Sequence, residues 1–186
     1  MKVTKQDLIQ IEAFSRPYYQ DKDIMHDWTH IERVAYSMRK LVEEEQVVID
    51  NFVVEAALML HGIIYSIEPE IRHFLSSLGL SPSRVEMIIK VAWESQKEER
   101  PSTPEGLILH DAHLLEGGKY FEIIKSLITG SVRGQSLVET LDYIRQNLLE
   151  KGQCYTNSGK KQYEVMKAIT RDIYLDLRQE IMDVSP

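Results

Sequence analysis

The sequence predicts an all-α fold, a helical bundle. Three observations carry that prediction. Apolar residues recur at intervals of three and four through most of the chain. Helix-start residues precede those runs, and Gly or Pro follows them. No convincing strand, with alternating apolar and polar residues, interrupts them. The 186 residues suit a single domain with a sizeable core. Its motif-bearing part spans about residues 20–120, and C-terminal helices follow over 121–182.

Taken in order, Thr4 is an N-cap for a helix carrying Leu8, Ile9, Ile11 and Phe14 up to Pro17. A linker leads to the cluster Asp23-Ile24-Met25-His26-Asp27-Trp28-Thr29-His30. Ile31, Val34, Ala35, Met38, Leu41 and Val42 then mark the apolar stripe of a long helix. Asp50 caps the next, whose inward face is Val54, Ala57, Leu58 and His61. Pro69 opens a short helix ending near Gly79. Ser81-Pro82 and Thr103-Pro104 are each an N-cap followed by a first-turn proline. The second of these helices places Asp111 among Leu107, Ile108, Leu114 and Leu115, and Gly117-Gly118 ends it. Three further helical patterns complete the chain, through Phe121–Ile128, Leu137–Leu149 and Tyr163–Leu177.

Composition excludes several classes. Hydrophobic residues at 43% and charged residues at 27% describe a soluble globular protein, not a disordered one. A net charge of −7 without a basic tract argues against nucleic acid and against an anionic membrane surface. A small phosphorylated partner stays compatible, since one metal ion dominates its local field. Apolar runs are too short to span a bilayer. Cys154 is the single cysteine, so no internal disulfide forms, and a reducing compartment is expected. The first residues lack the apolar segment of a signal peptide, so the expected location is the cytoplasm.

Four polar residues stand out on buried faces. His26 and His30 are four apart, the spacing by which one helix offers two imidazoles to one ion. His61 and Asp111 lie on apolar stripes of later helices. An ionised Asp there costs several kcal/mol unless it is compensated by a metal, an Arg or backbone donors. The plain alternative is a direct His61–Asp111 hydrogen bond. Two imidazoles and a carboxylate suit Mn, Fe, Ni, Co or Zn better than Mg or Ca. Such an ion activates water and polarises a phosphoryl oxygen.

The stretches His30-Ile31-Glu32-Arg33-Val34, Ala56-Ala57-Leu58-Met59-Leu60-His61 and Ile108-Leu109-His110-Asp111-Ala112 resemble the HD superfamily of metal-dependent phosphohydrolases. His26-Asp27-Trp28-Thr29-His30 and Tyr155-Thr156-Asn157-Ser158-Gly159-Lys160 are similar to its small stand-alone bacterial branch. The resemblance implies a helical fold around a divalent metal. It places His30, His61 and Asp111 as metal ligands, with His61 and Asp111 at the catalytic centre.

One departure is plain. The aspartate of the family's His-Asp pair is replaced by Gly62, which implies weak or absent metal binding. His26 and Asp27 are the better substitutes, either as supplementary ligands or as a cap and a partner holding His30. His110 and His113 are expected to face away from a site that contains Asp111. Arg33 and Lys160 are candidates for substrate binding. Their plain readings are an ion pair with Glu32 or Glu55 and a solvated surface charge.

The expected function is hydrolysis of a phosphate ester, with a nucleotide as one option. The alternative is a catalytically degenerate protein of the same fold that binds a nucleotide or partner without hydrolysis. A homodimer is compatible with either.

Overall fold

The computed structural model describes residues 4–184. Among the described residues the regular structure is entirely helical. The elements are α1 (Lys5–Ser15), a 3-10 turn (Arg16–Tyr19), α2 (Trp28–Glu45), α3 (Asn51–Leu60), α4 (Ile64–Ser77), α5 (Pro82–Glu94), α6 (Pro104–Leu114), α7 (Phe121–Val132), α8 (Leu137–Tyr143), a π-helical segment (Ile144–Glu150) and α9 (Asn157–Val184).

Three of the predicted start signals act as side-chain caps, while Ser81 takes the N-cap position of α5 without a side-chain cap hydrogen bond. Thr4 closes a capping box with Asp7, Asp50 accepts from the Val53 amide, and Thr103 accepts from the Gly106 amide. Around Pro69 the outcome differs from the expectation. α4 begins at Ile64, and Ile67 leaves helical geometry at φ −138°, ψ 34°. Pro69 lacks an amide hydrogen and crowds the preceding turn, so the element kinks where a fresh start was expected.

Packing sets the positions of the site. α2 lies on α6, while α5 contacts α3, α4 and α6. The main core runs through α1–α6 and takes in Cys154, Tyr163 and Met166. A smaller cluster of Ile123, Leu141, Ile144, Leu148 and Tyr174 joins α7, α8, the π-helical segment and α9. The cavity described below lies where these groups of helices meet. No helix among the described residues is long and apolar enough to cross a membrane.

Candidate metal centre

Three imidazoles converge from three helices. Asp27 caps α2 by accepting from the Thr29 amide, which sets His30 in the first turn. His61 directly follows the last residue of α3 and is 1% exposed. His113 sits in the last turn of α6. One ring nitrogen from each lies within 4.8 Å of the other two. The Nε2 atoms of His30 and His61 are 2.9 Å apart, and the His61 and His113 rings stack with centroids 4.8 Å apart.

The outer nitrogens are held from behind. His30 Nδ1 lies 2.9 Å from Glu116 Oε1, and His113 Nδ1 lies 3.0 Å from the Ser95 carbonyl oxygen. A carboxylate or carbonyl on Nδ1 selects the tautomer whose Nε2 carries a free lone pair, as metal-binding histidines require. His61 Nδ1 is buried without a hydrogen-bond partner among the described residues. Burial favours the neutral rings. It pulls the His61 pKa down to about 3, with the Lys125 charge adding to the effect. His30 and His113 are lowered in the same direction and for the same first cause.

Glu116 anchors this arrangement. It is 3% exposed and also binds Arg33 Nε at 2.7 Å and Lys125 Nζ at 2.5 Å. Gly117 and Gly118, with φ +70° and +77°, turn the chain sharply after it, a conformation that favours glycine. Lys125 Nζ also lies 3.5 Å from His30 Nδ1.

Asp111 is not in the imidazole group. Its carboxylate, 0% exposed, accepts from the Tyr155 amide at 2.9 Å, the Thr156 amide at 2.7 Å and the Thr156 hydroxyl at 2.7 Å. It binds the segment that leads into α9, so backbone donors compensate its charge. His110 Nδ1 lies 3.2 Å from the same carboxylate, and His61 pairs with His30, not with Asp111. On an α-helix, residues two apart point about 200° apart. With Asp111 turned to α9, His113 faces the cavity, where the sequence reading had it facing away.

The other candidates separate clearly. His26 lies ahead of α2, and its Nδ1 is 2.8 Å from Asp23 Oδ2. Its ring borders the cavity, 6.1 Å from the His30 ring. Asp27 is a helix cap. Arg33 is occupied by Glu116, the Thr29 hydroxyl and the Met25 carbonyl. Lys160 is exposed in the first turn of α9, and neither it nor Arg33 lines the cavity.

At position 62 the structure supplies a steric reason for glycine. A Cβ built there would lie 2.8 Å from the Tyr19 hydroxyl and 3.0 Å from its ring. Lys22 Nζ donates to the Gly62 carbonyl at 2.7 Å.

The imidazoles open on a cavity of about 600 Å³. Lys22, Lys97, Lys125 and Arg133 line it, and so do Asp21, Asp23, Glu98 and Glu122. The basic side chains among them offer donors to an anionic, oxygen-rich ligand.

No family model matches the chain, and no curated protein matches it significantly. Solved structures do. An HD-superfamily hydrolase from Bacillus thuringiensis is 19% identical, with a TM-score of 0.70 over 98% of this chain and all of that one (100%). This chain shares the all-helical fold of that hydrolase. A protein from Lactobacillus plantarum matches with a TM-score of 0.82 at 14% identity, over 98% of this chain and 100% of that one. The YpgQ protein of Bacillus subtilis, solved in complex with ADP, matches with a TM-score of 0.69 at 19% identity, over 94% and 97%.

A metal ion fits the residues present. A tetrahedral ion with bonds of roughly 2.1 Å spaces its ligand nitrogens about 3.4 Å apart. The cluster's separations, from 2.9 Å to at most 4.8 Å, bracket that value. Its rings are driven to the neutral form a metal requires. Sequence reasoning missed His113, Glu116, Lys22 and Lys125. The available signal was the cadence His110-Asp111-Ala112-His113, read with the wrong face inward.

Proposed function

We propose that this chain is a metal-dependent phosphohydrolase acting on a phosphate ester, with a nucleotide as the first substrate class to test. The observation that carries this reading is the convergence of His30, His61 and His113 at a cavity that also presents Lys22, Lys97, Lys125 and Arg133. The fold shared with the HD-superfamily hydrolase and the ADP complex of YpgQ support it. The three imidazoles would hold the ion. An all-imidazole set favours Zn, Co or Ni over Mn. When bound, such an ion supplies Lewis-acid polarisation of a phosphoryl oxygen and a lowered pKa for water.

The chain's own residues do the rest. Glu116 and the Ser95 carbonyl orient His30 and His113. Lys97 and Lys125 take phosphate oxygens, and Arg133, exposed at the cavity, adds positive charge there. Burial and the cations around it lower the Lys125 pKa, while Glu116 opposes that shift. Arg33 and Asp111 have structural duties in this reading.

One observation favours a second reading, a binding protein without hydrolysis. The His30–His61 contact satisfies one nitrogen of each ring without an ion. Reconstitution with Zn, Co, Ni or Mn, followed by a panel of nucleotides and simple phosphate esters, separates the two. Hydrolysis that is lost on chelation and restored by metal supports the enzyme. Nucleotide binding with no turnover under any ion supports the binding protein.

A further inference from the structure

Four carboxylates are buried near the helix junctions, and three are saturated. Asp111 accepts from Tyr155, Thr156 and His110. Glu116 binds His30, Arg33 and Lys125. Glu94 accepts from the amides and hydroxyls of Ser102 and Thr103. Glu122 differs. It is 6% exposed and lines the cavity, yet among the described residues it accepts no hydrogen bond. Lys97 Nζ, at 3.9 Å from Oε1, is its one ion-pair partner there. Its place in the first turn of α7 favours a negative charge modestly, which does not explain turning that charge away from water.

We propose that Glu122 is the proton donor to the leaving-group oxygen of the hydrolysed phosphate ester, an inference that rests on the phosphohydrolase reading above. Burial of a carboxyl that accepts no hydrogen bond favours the neutral acid, the form a general acid needs. The groups facing it pull in both directions. Lys97 from the α5–α6 connection, Lys125 from α7 and Lys167 from α9 favour the carboxylate; burial and Glu116 favour the acid, and burial prevails. Cys154 and Tyr163, also close, are themselves pushed up chiefly by burial and stay neutral.

The step balances. A water oxygen forms the new bond to phosphorus, and its surplus proton leaves to solvent. The ester P–O bond breaks, and the departing oxygen takes the Glu122 proton. The resulting carboxylate sits beside Lys97 and is reprotonated from solvent before the next turnover.

The test compares leaving groups in the metal-reconstituted protein. An alkyl phosphate needs its leaving oxygen protonated, and p-nitrophenyl phosphate does not. Glu122→Gln should lower kcat/KM on the alkyl ester by on the order of 10²-fold, and on the nitrophenyl ester by less than about threefold. The alkaline limb of the alkyl-ester pH profile should flatten in the variant. An infrared difference spectrum of the metal-free proteins should show a protonated carboxyl that titrates above the ordinary Glu range and is missing in Glu122→Gln. Equal losses on both esters, or no loss on either, overturn the assignment and leave the phosphohydrolase intact. An inactive wild type on both esters and on the nucleotide panel overturns both.

Discussion

The Tyr19 hydroxyl accepts from the Gly62 amide at 3.2 Å and donates to the Met59 carbonyl at 3.1 Å. It therefore fills the space in which a side chain at position 62 would begin. Tyr19 is buried and its ring meets Trp28 edge-on, so it has little room to retreat. The glycine after His61 and the tyrosine 43 residues earlier form a matched pair. Gly62→Asp in the native background should cost about 1–3 kcal/mol through overpacking. In a Tyr19→Ala background most of that added penalty should vanish. A double-mutant cycle by urea denaturation measures the coupling. Additive effects would show that glycine is there for another reason.

Acid should loosen the protein through its imidazoles. His61 drops from 6.5 to about 3 in the fold, so the unfolded chain binds the extra proton between those values. Stability then rises with pH across that window and is lost as pH falls from about 6.5 toward 3. The slope is roughly 1.4 kcal/mol per pH unit for each imidazole inside its window. His30 and His113 act in the same direction, and Glu122, with its raised pKa, acts against them. Denaturation midpoints from pH 4 to pH 8 follow the effect. Stability that is flat across that range would contradict neutral buried rings.

Removing the charge of Glu116 should have two consequences. Glu116→Gln weakens the hold on His30 and should reduce ion affinity by about 10–100-fold. It also leaves Lys125 and Arg33 without their shared carboxylate, a loss on the order of 3 kcal/mol. Competition with a chelator reads the first, and thermal unfolding of the metal-free protein reads the second.

Gly159 gives an independent handle on the Asp111 anchor. A Cβ there would press on Asp111 Oδ2 and the Thr156 hydroxyl. Gly159→Ala should destabilise the protein by about 1–3 kcal/mol and increase hydrogen exchange at the start of α9. It should leave ion binding at the imidazoles intact.

The helices were legible because their caps and stripes are local. Thr4, Asp50 and Thr103 do what their positions announce. His30 and His61 were legible as polar residues on inward faces. α6 was ambiguous for a physical reason: it buries Ile108, Leu109, Ala112 and Leu114 around most of its circumference. A helix apolar on nearly all sides does not say whether Asp111 or His113 faces a cavity. That choice is made by Tyr155 and Thr156, whose donors claim Asp111 from 44 and 45 residues away. The Tyr19–Gly62 contact and the isolation of Glu122 are likewise tertiary, with no trace in periodicity.

Metal content of three reconstituted proteins tests the centre most directly. Wild type, His113→Ala and Asp111→Asn are loaded with Zn or Co, desalted and measured by elemental analysis, with helicity checked in parallel. The tri-imidazole centre predicts about one ion per chain in wild type and in Asp111→Asn, and a large loss in His113→Ala. Retention of the ion in His113→Ala, with its loss from a folded Asp111→Asn, would contradict it.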